Sequence, residues 1–364
     1  MDNFIRDLKK RFRPWYYLLK YFKRPFSFYQ TRTKSIYFDL NDNYSARHLY
    51  LLVKFLSRQS FGIYFRPCPA FVRHVLKDAY ASMIFSENLA RFSYKKPLRA
   101  LSISERDDTD LQLSTNYFKE LLSNTCSGDS YHFPIGMHPL QYHLKTDEIE
   151  YQTNNRSNTL FFSGNFNAKH YTRFSKTDIF KMPNRIEIFD HLLQSGLSLV
   201  RNPDTNQLET EFFDHQLVIC NTDCCKVPHG KWRFILSRMD FVLGLPGIIV
   251  PFCHSIVEAM SVGAIPVLHE NYAALFRPPL INKQDCLTFT GLENLKEVCE
   301  VALKLPDSEK IRLRAGVYRY YEAHLTPQAV VEKIIKPELK IVYLQAEQHS
   351  LKQLPGCPPE VDWS

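Results

Sequence analysis

The segment between residues 251 and 271 combines residue types that can bind a nucleotide. Its sequence, PFCHSIVEAMSVGAIPVLHEN, predicts a helix from Ser255 to Ser261 and then a short buried strand from Ile265 to Leu268. A helix start favours anions, because its first N–H groups have no intrahelical partner and the helix dipole is positive there. Glu258 follows about one turn later, and carboxylates accept hydrogen bonds from ribose hydroxyls. One interpretation is therefore a nucleoside diphosphate on the helix start with its ribose on Glu258.

The residues before this helix predict that it belongs to a parallel sheet. Residues 241–245 are apolar and lead into a turn at Pro246 and Gly247, so the order is strand, loop, helix and strand. Such an order places the helix start at the carboxyl end of a strand. The alternative interpretation of Glu258 is an ordinary solvated residue near a helix cap, and this segment alone leaves both interpretations open.

The composition indicates a folded protein with a modest excess of positive charge. The 364 residues are 45% hydrophobic and 14% aromatic, which is enough for the cores of two domains. The net charge of +8 favours anionic partners such as phosphate-bearing substrates, nucleic acid or a membrane surface, and its sign does not choose among them. The nine cysteines form an odd number without a CxxC pair, which favours a reducing cytosol. No long apolar run predicts a transmembrane helix, and the N-terminus lacks a clean signal core.

Residues 1–30 differ from the rest of the chain. They interleave lysines and arginines with an apolar stripe at near-helical spacing, formed by Phe4, Leu8, Phe12, Trp15, Leu19 and Phe22. One interpretation is a helix that lies in an anionic membrane interface. The other is a helix packed on the protein's own core with its charges in solvent.

Two series of alternating strands and helices predict an α/β protein with two Rossmann-like domains. The first series occupies residues 31–140, and the second occupies residues 159–325 and includes a helix from Lys231 to Arg238. Residues 141–158 are polar and weakly periodic, which is typical of a linker. Residues 326–364 predict a C-terminal helix followed by a frayed, proline-rich tail.

Two stretches of the second series resemble exostosin-like glycosyltransferases. TLFFSGNF, followed by NRIEIFDHLL, is similar to that family's opening strand, glycine turn and arginine-bearing helix. ILSRMDFVLGLPG, followed by HSIVEAMSVGAIPVL, is similar to its strand, loop and donor-binding helix and ends in the pattern E-A-x-x-x-G-x-I-P-V. The resemblance covers roughly residues 159 to 270. It implies the GT-B architecture, in which two Rossmann-like domains face each other across a cleft that holds the active site.

The resemblance also implies donor-binding residues in the second domain. Glu258 matches the acidic position that the family uses for the donor ribose, and Gly164 and Asn165 match the loop that faces the donor phosphates. Arg185 matches an arginine that family members often place at a helix start. Pro246 and Gly247 belong to the loop before the donor-binding helix, and we include them in the predicted donor site.

One departure from the family concerns the charges that hold the diphosphate. The family usually has an arginine three residues before the glutamate, whereas this chain has Ser255 there with His254 beside it. We include both residues in the predicted donor site and expect cations from elsewhere, because a diphosphate calls for at least one or two of them. The candidates are Arg173, Arg185, Lys231 and Arg233, each of which has the alternative of a solvated surface charge.

No motif identifies a catalytic base. His74, Asp107, Asp108 and the turn residue His138 are candidates to take the acceptor proton if the reaction inverts, and a retaining reaction would not need such a base. For His138 the alternative is an ordinary histidine in a turn.

Three short motifs predict no further chemistry. DTD at 108–110 resembles a metal-binding D-x-D, but we interpret it as a capping loop between two helices. CNTDCC at 220–225 lacks a second cluster with zinc-ligand spacing, so we interpret its cysteines as loop thiols. GLPG at 244–247 is too short for a dinucleotide fingerprint, which argues against an NAD enzyme.

These patterns predict a glycosyltransferase that moves a sugar from a nucleoside diphosphate sugar to a glycan or a lipid-linked glycan. We expect the diphosphate to leave as helix N–H groups and cations stabilise its charge, without a metal or another cofactor and without a nucleic-acid partner. The alternatives are a nucleotide-sugar epimerase or hydrolase on the same fold, and a catalytically silent glycan-binding protein. The expected location is the cytoplasm or the inner face of a membrane.

Overall fold

The structure is a computed structural model that describes residues 34–41, 44–123, 128–151, 155–171 and 179–354. The basic segment 1–30, Arg173 and the residues after 354 lie outside these ranges, so the predictions made for them stay predictions.

The strands of the described residues follow the apolar runs of the sequence. They are β1 Ser35–Asp39, β2 Gly62–Phe65, β3 Arg91–Phe92, β4 Leu101–Ser104, β5 Leu111–Ser114, β6 Ser130–His132, β7 Ser157–Gly164, β8 Leu199–Arg201, β9 Leu217–Asn221, β10 Met239–Gly244, β11 Ile265–His269, β12 Leu287–Phe289 and β13 Ile341–Tyr343.

The helices lie between these strands and supply the amphipathic segments. They are α1 Ala46–Arg58, α2 Pro69–Lys77, α3 Ala79–Ser86, α4 Tyr117–Ser123, α5 Pro139–His143, α6 Ala168–Tyr171, α7 Arg185–Gln194, α8 Thr205–Thr210, α9 His229–Ser237, α10 His254–Ser261, α11 Glu270–Ala273, α12 Leu292–Leu303, α13 Asp307–His324, α14 Pro327–Ile334 and α15 Gln348–Lys352.

The described chain divides into two compact units, each built on one sheet. The first unit ends at Phe133 and is completed by the segment that begins at Pro327, and the second unit runs from Pro134 to Thr326. The first sheet has the order β3-β2-β1-β4-β5-β13-β6, and the second has the order β12-β11-β10-β7-β9-β8. All strand pairs in both sheets are parallel. The prediction of two Rossmann-like domains is confirmed.

The second sheet is buried along its centre. All residues of β10 and β11 are buried, which is typical of parallel strands covered by helices on both faces. A capping box between Asn184 and Glu187 fixes the start of α7. Gly263 lies just after the C-cap of α10 and has φ +74°, a backbone conformation that favours glycine. A Cβ at this position would also overlap the Tyr318 ring.

The connections of the second sheet change direction at its first strand. From β7 the chain forms β8 and β9 on one side, and β10, β11 and β12 on the other. The carboxyl ends of β7 and β10 therefore flank the switch point, the place where open α/β sheets bind ligands. This crevice contains the loops after Gly164 and Gly244.

The structure differs from the sequence-based prediction in two segments. The loop of the DTD motif joins strands β4 and β5, not two helices, because the short runs LSIS and LQLS pair in the first sheet. Its Asp110 carboxylate accepts a hydrogen bond from the Ser102 N–H at 2.8 Å. In the C-terminal segment, the three-residue run IVY forms β13 between β5 and β6, which its length and lysine-rich flanks did not reveal.

No helix of the described residues is both long enough and apolar enough to cross a bilayer.

Candidate functional site

Arg185 joins the two strand ends at the switch point. Its Nη1 donates to the carbonyl oxygen of Asn165 after β7, and its Nε donates to the carbonyl oxygen of Pro246 after β10, both at 3.1 Å. The side chain is 7% exposed. Gly164 makes room for it, because a Cβ there would lie 2.8 Å from Nη1 of Arg185. The predicted residues Gly164, Asn165, Arg185 and Pro246 thus lie together, around one buried positive charge.

The loop between β10 and α10 turns back sharply on itself. The N–H of Gly247 donates to the carbonyl oxygen of Pro251 at 3.0 Å. A Cβ at Gly247 would overlap the carbonyl oxygen of Val250, so the tight turn requires glycine. The loop ends at Cys253, whose N–H donates to the Tyr272 hydroxyl at 2.7 Å. This turn places the start of α10 beside the switch point, where Nη2 of Arg185 lies 3.4 Å from the Cys253 sulfur.

Three histidines at helix starts lie together in the second unit. His138 is the N-cap residue of α5, and His229 and His254 are the first residues of α9 and α10. The rings of His138 and His229 stack with centroids 4.8 Å apart, and the ring of His254 meets His138 edge-on at 5.5 Å. Nδ1 of His254 donates to the carbonyl oxygen of Gly136 at 2.7 Å, which fixes its tautomer.

The starts of α9 and α10 are open. Their N-cap residues, Pro228 and Cys253, make no side-chain hydrogen bond to the helix. The first N–H groups of each helix are therefore not capped by these side chains. Burial, and secondarily the charge of Lys226, lowers the pKa of His229, so its imidazole is neutral near pH 7. The positive potential comes from the helix starts, Arg185 and Lys226, while the neutral His229 ring supplies an N–H donor.

Glu258 is buried beneath this histidine cluster. Its side chain is 3% exposed, and each carboxylate oxygen has a protein donor. Oε1 accepts from the backbone N–H of His138 at 2.9 Å, and Oε2 accepts from the indole N–H of Trp232 at 2.5 Å. Burial raises the pKa of Glu258 to about 7, against the lowering effect of these two hydrogen bonds and of Arg233. The carboxylate thus links the start of α5 to α9 and α10, and its predicted contact with a ribose stays a prediction.

The two predicted cations of α9 have protein partners. Arg233 is 4% exposed, and its Nη1 donates to the carbonyl oxygens of Thr146 and, at 3.1 Å, Ile149. The exposed ammonium of Lys231 lies 2.6 Å from a Glu209 carboxylate oxygen. Arg233 therefore holds the 146–149 segment onto α9, and Lys231 forms a surface ion pair. Neither contact tests the predicted role of these residues in binding a diphosphate.

The other predicted residues have clear positions. Ser255 is the second residue of α10. Nδ2 of Asn165 donates to Oδ1 of Asp223 at 3.3 Å, and Oδ1 of Asn165 accepts from the backbone N–H of Asn167 at 2.6 Å. The candidate bases His74, Asp107 and Asp108 belong to the first unit, whereas His138 belongs to the histidine cluster.

Sequence reasoning missed His229 and Trp232. The predicted helix begins at Lys231, whereas α9 begins two residues earlier, so the prediction leaves His229 outside the helix. The dipeptide Pro228-His229 was the available signal, because proline is common just before or at a helix start. Nothing in the local sequence connects Trp232 to Glu258.

Within the part of the chain that the structure describes, no group of three or more His, Cys, Asp or Glu side chains could hold a metal ion.

The chain shows only remote similarity to known proteins. Its sequence matches no protein-family model and no curated protein. HepE from Anabaena, solved with UDP and glucose, is 9% identical, with a TM-score of 0.37 over 82% of this chain and 97% of HepE. A glycosyltransferase from Rickettsia africae is 10% identical, with a TM-score of 0.43 over 83% of this chain and 97% of that chain. Sucrose-phosphate synthase from Thermosynechococcus elongatus is 11% identical, with a TM-score of 0.40 over 83% and 97%.

Proposed function

We propose that the protein is a glycosyltransferase whose donor is a nucleoside diphosphate sugar. The observation that carries this proposal is the pair of helix starts, α9 and α10, whose first residues His229 and His254 both contact the His138 ring beside the switch-point crevice. A diphosphate needs several N–H donors and positive potential in one place, and two helix starts supply both. The buried charge of Arg185 adds to that potential.

The same geometry suits a diphosphate as leaving group. When the bond between the anomeric carbon and the diphosphate breaks, negative charge grows on the departing phosphate oxygen. Fixed N–H groups at the starts of α9 and α10 stabilise this charge without having to reorient, which is the main source of rate enhancement in such sites. The neutral ring of His229 adds an N–H donor at the same place.

In this proposal Glu258 is a positioning residue. Its carboxylate fixes the His138 backbone and the Trp232 ring, and so sets how α5, α9 and α10 meet. The contact with the donor ribose suggested by the exostosin-like resemblance is a second role that we retain as a proposal. That role requires one carboxylate oxygen to accept a further hydrogen bond, which a carboxylate can do.

The finer features of the reaction also belong to this proposal. The acceptor is a glycan or a lipid-linked glycan, the donor is the only small molecule required, and residues 1–30 hold the protein at an anionic membrane surface. The exostosin-like motifs in the second unit support the donor class, and the basic and aromatic pattern of residues 1–30 supports the surface.

Two measurements test the proposed function. Calorimetric titration with UDP, GDP and ADP should show one diphosphate that binds at micromolar concentration and that stabilises the protein on heating. Incubation with the corresponding radiolabelled nucleotide sugars should then transfer label to a glycan acceptor. Label released as free sugar, or found in an epimerised nucleotide sugar, would favour the hydrolase or epimerase. Binding without turnover would favour a silent glycan-binding protein, and the absence of any diphosphate binding would overturn the proposal.

A further inference from the structure

The CNTDCC turn that follows β9 contains three cysteines for which the proposed donor site has no role. Cys220 lies in β9 and is fully buried, Cys225 is 6% exposed, and Cys224 between them and α9 is exposed. All three are free thiols. In a reducing compartment a disulfide is usually transient and serves catalysis or redox sensing. A pair of neighbouring thiols in a surface turn is the arrangement that such sensing requires.

The backbone of the turn brings Cys225 back toward the end of β9. Its N–H donates to the carbonyl oxygen of Asn221 at 2.7 Å, which closes one helical turn directly after the strand. Its thiol then donates to the carbonyl oxygen of Pro203 at 2.7 Å. Because β8 and β9 are parallel neighbours, Pro203, two residues after β8, runs beside the end of β9. The sulfur of Cys225 therefore lies beside the part of the strand that carries Cys220.

The two buried thiols also influence each other. Burial raises the pKa of both, and Cys225 raises the pKa of Cys220 further, whereas the interaction with the Cys220 side chain lowers the pKa of Cys225. Cys225 is therefore the thiol of the pair that ionises more readily. Burial also raises the pKa of Cys286 and Cys299, but no cysteine contributes to either shift. These two buried thiols supply matched controls for the pair.

The turn is joined to two parts of the proposed donor site. The N–H of Thr222 donates to the carbonyl oxygen of Gly164 at 3.1 Å, and the Asn165 amide donates to the Asp223 carboxylate at 3.3 Å. On its other side, three residues separate Cys225 from the start of α9. A displacement of the turn therefore reaches both the loop after β7 and the first N–H groups of α9.

We infer that Cys220 and Cys225 are a redox-sensitive pair whose reversible disulfide displaces this turn. Hydrogen peroxide is the oxidant. The Cys225 thiolate attacks one peroxide oxygen, so that an S–O bond forms, the O–O bond breaks and hydroxide leaves. The Cys220 sulfur then attacks the Cys225 sulfur, so that the S–S bond forms, the S–O bond breaks and water leaves with the Cys220 proton.

The disulfide displaces the turn because it removes one of the contacts that hold it. Oxidised Cys225 has no S–H group to donate to the Pro203 carbonyl oxygen, and its sulfur must move toward Cys220. The hydrogen bond from Thr222 to Gly164 then loosens, and the amide of Thr222 exchanges faster with solvent. Weaker binding of a nucleoside diphosphate is a second consequence, and this consequence alone rests on the proposed function.

The test treats the full chain with hydrogen peroxide and alkylates the remaining thiols before trypsin digestion. Peptide 202–226 holds all three cysteines of the turn. In Cys224→Ala it should lose two hydrogen atoms and take up no alkyl group, because only Cys220 and Cys225 can then pair within it. Dithiothreitol should reverse the change. Hydrogen–deuterium exchange of the intact protein should show a faster Thr222 amide after oxidation than before.

Four further variants locate the effect. Cys220→Ala and Cys225→Ala should each abolish both the disulfide and the oxidation-dependent change in exchange, whereas Cys286→Ala and Cys299→Ala should keep both. Any variant that unfolds is recognised by its melting temperature, and the other member of the pair then decides. No disulfide in peptide 202–226 of Cys224→Ala, a disulfide there that survives in Cys220→Ala, or an unchanged Thr222 exchange rate after oxidation would each overturn the inference.

Titration of the reduced and the oxidised protein with UDP, GDP and ADP measures the consequence for the donor site. The oxidised protein should bind the best diphosphate about fivefold more weakly or worse, the range of a typical coupling between two sites. Equal affinities of the two forms would refute the coupling to the donor site. Absence of binding by the reduced protein would instead refute the proposed function, while the mass and exchange measurements still decide on the cysteine pair.

Discussion

The backbone N–H of His138 donates to the Glu258 carboxylate at 2.9 Å, across 120 residues of sequence. The indole of Trp232 donates to the other oxygen of the same carboxylate. One buried acid therefore fixes the loop before α5, the first half of α9 and the middle of α10. The open helix starts that we propose as the diphosphate site depend on this arrangement.

Glu258→Gln should destabilise the protein. The amide offers one oxygen and one NH₂ group, so one of the two N–H donors, of His138 or Trp232, loses its acceptor and faces another donor. We expect the free energy of unfolding at pH 8 to fall by about 1–3 kcal/mol, measured by urea denaturation. Glu297→Gln, at an exposed site on α12, is the control and should stay within about 0.5 kcal/mol. A variant of unchanged stability with a weakened nucleotide affinity would instead support a ribose contact without the positioning role.

The stability contributed by Glu258 should depend on pH. Its pKa is about 7 in the folded protein and close to the ordinary value of 4.5 when unfolded, so the folded state holds the proton more tightly between these values. The free energy of unfolding of the wild type should therefore decrease as pH rises from 5 to 8, relative to Glu258→Gln, by at most about 3 kcal/mol. Urea denaturation of both proteins at several pH values gives the difference. A difference that does not change with pH would show that the hydrogen bonds keep the carboxylate ionised throughout.

The sequence predicts the elements of the second unit well because most of its strands contain a buried apolar run. The arginine-bearing helix expected in NRIEIFDHLL is α7, and the predicted helix 255–261 differs from α10 by one residue. A capping box and a glycine stop mark these ends locally. By contrast, the hydrogen bonds from His138 and Trp232 to Glu258 bring distant residues together, and nothing local in sequence encodes them. The sequence therefore predicts which loops follow the strands, and it does not predict the buried contacts that hold these loops together.

Gly247→Ala should disturb the loop before α10. A Cβ at this position would overlap the Val250 carbonyl oxygen, so the backbone of the turn must shift. We expect a loss of about 1–3 kcal/mol in the free energy of unfolding and a weaker affinity for the nucleoside diphosphate. Gly230→Ala is the control, because a Cβ there meets no atom within 4 Å and alanine favours helix α9. That variant should be as stable as the wild type or more so. Equal stability of the two variants would contradict the requirement for glycine at the turn.

His229 allows the backbone N–H at the start of α9 to be tested separately from the imidazole. His229→Ala removes the ring and keeps the N–H, whereas His229→Pro removes both. Proline suits this position, because it is the first of the helix and Pro228 before it has the extended backbone, φ −61° and ψ 141°, that proline requires of its neighbour. Both variants should therefore fold, and their melting temperatures should agree.

If the N–H of His229 binds a phosphate oxygen, the proline variant should bind the best nucleoside diphosphate about tenfold to a hundredfold more weakly than the alanine variant. This corresponds to about 1.5–3 kcal/mol for a hydrogen bond to a charged group. Thr205→Pro places proline at the first position of α8, after Asp204 with φ −72° and ψ 170°, and controls for the general effect of such a substitution. Its affinity should equal that of the wild type. Equal affinities of the proline and alanine variants at position 229 would mean that the start of α9 does not contact the diphosphate, and the anion would then have to be bound by α10 and Arg185 alone.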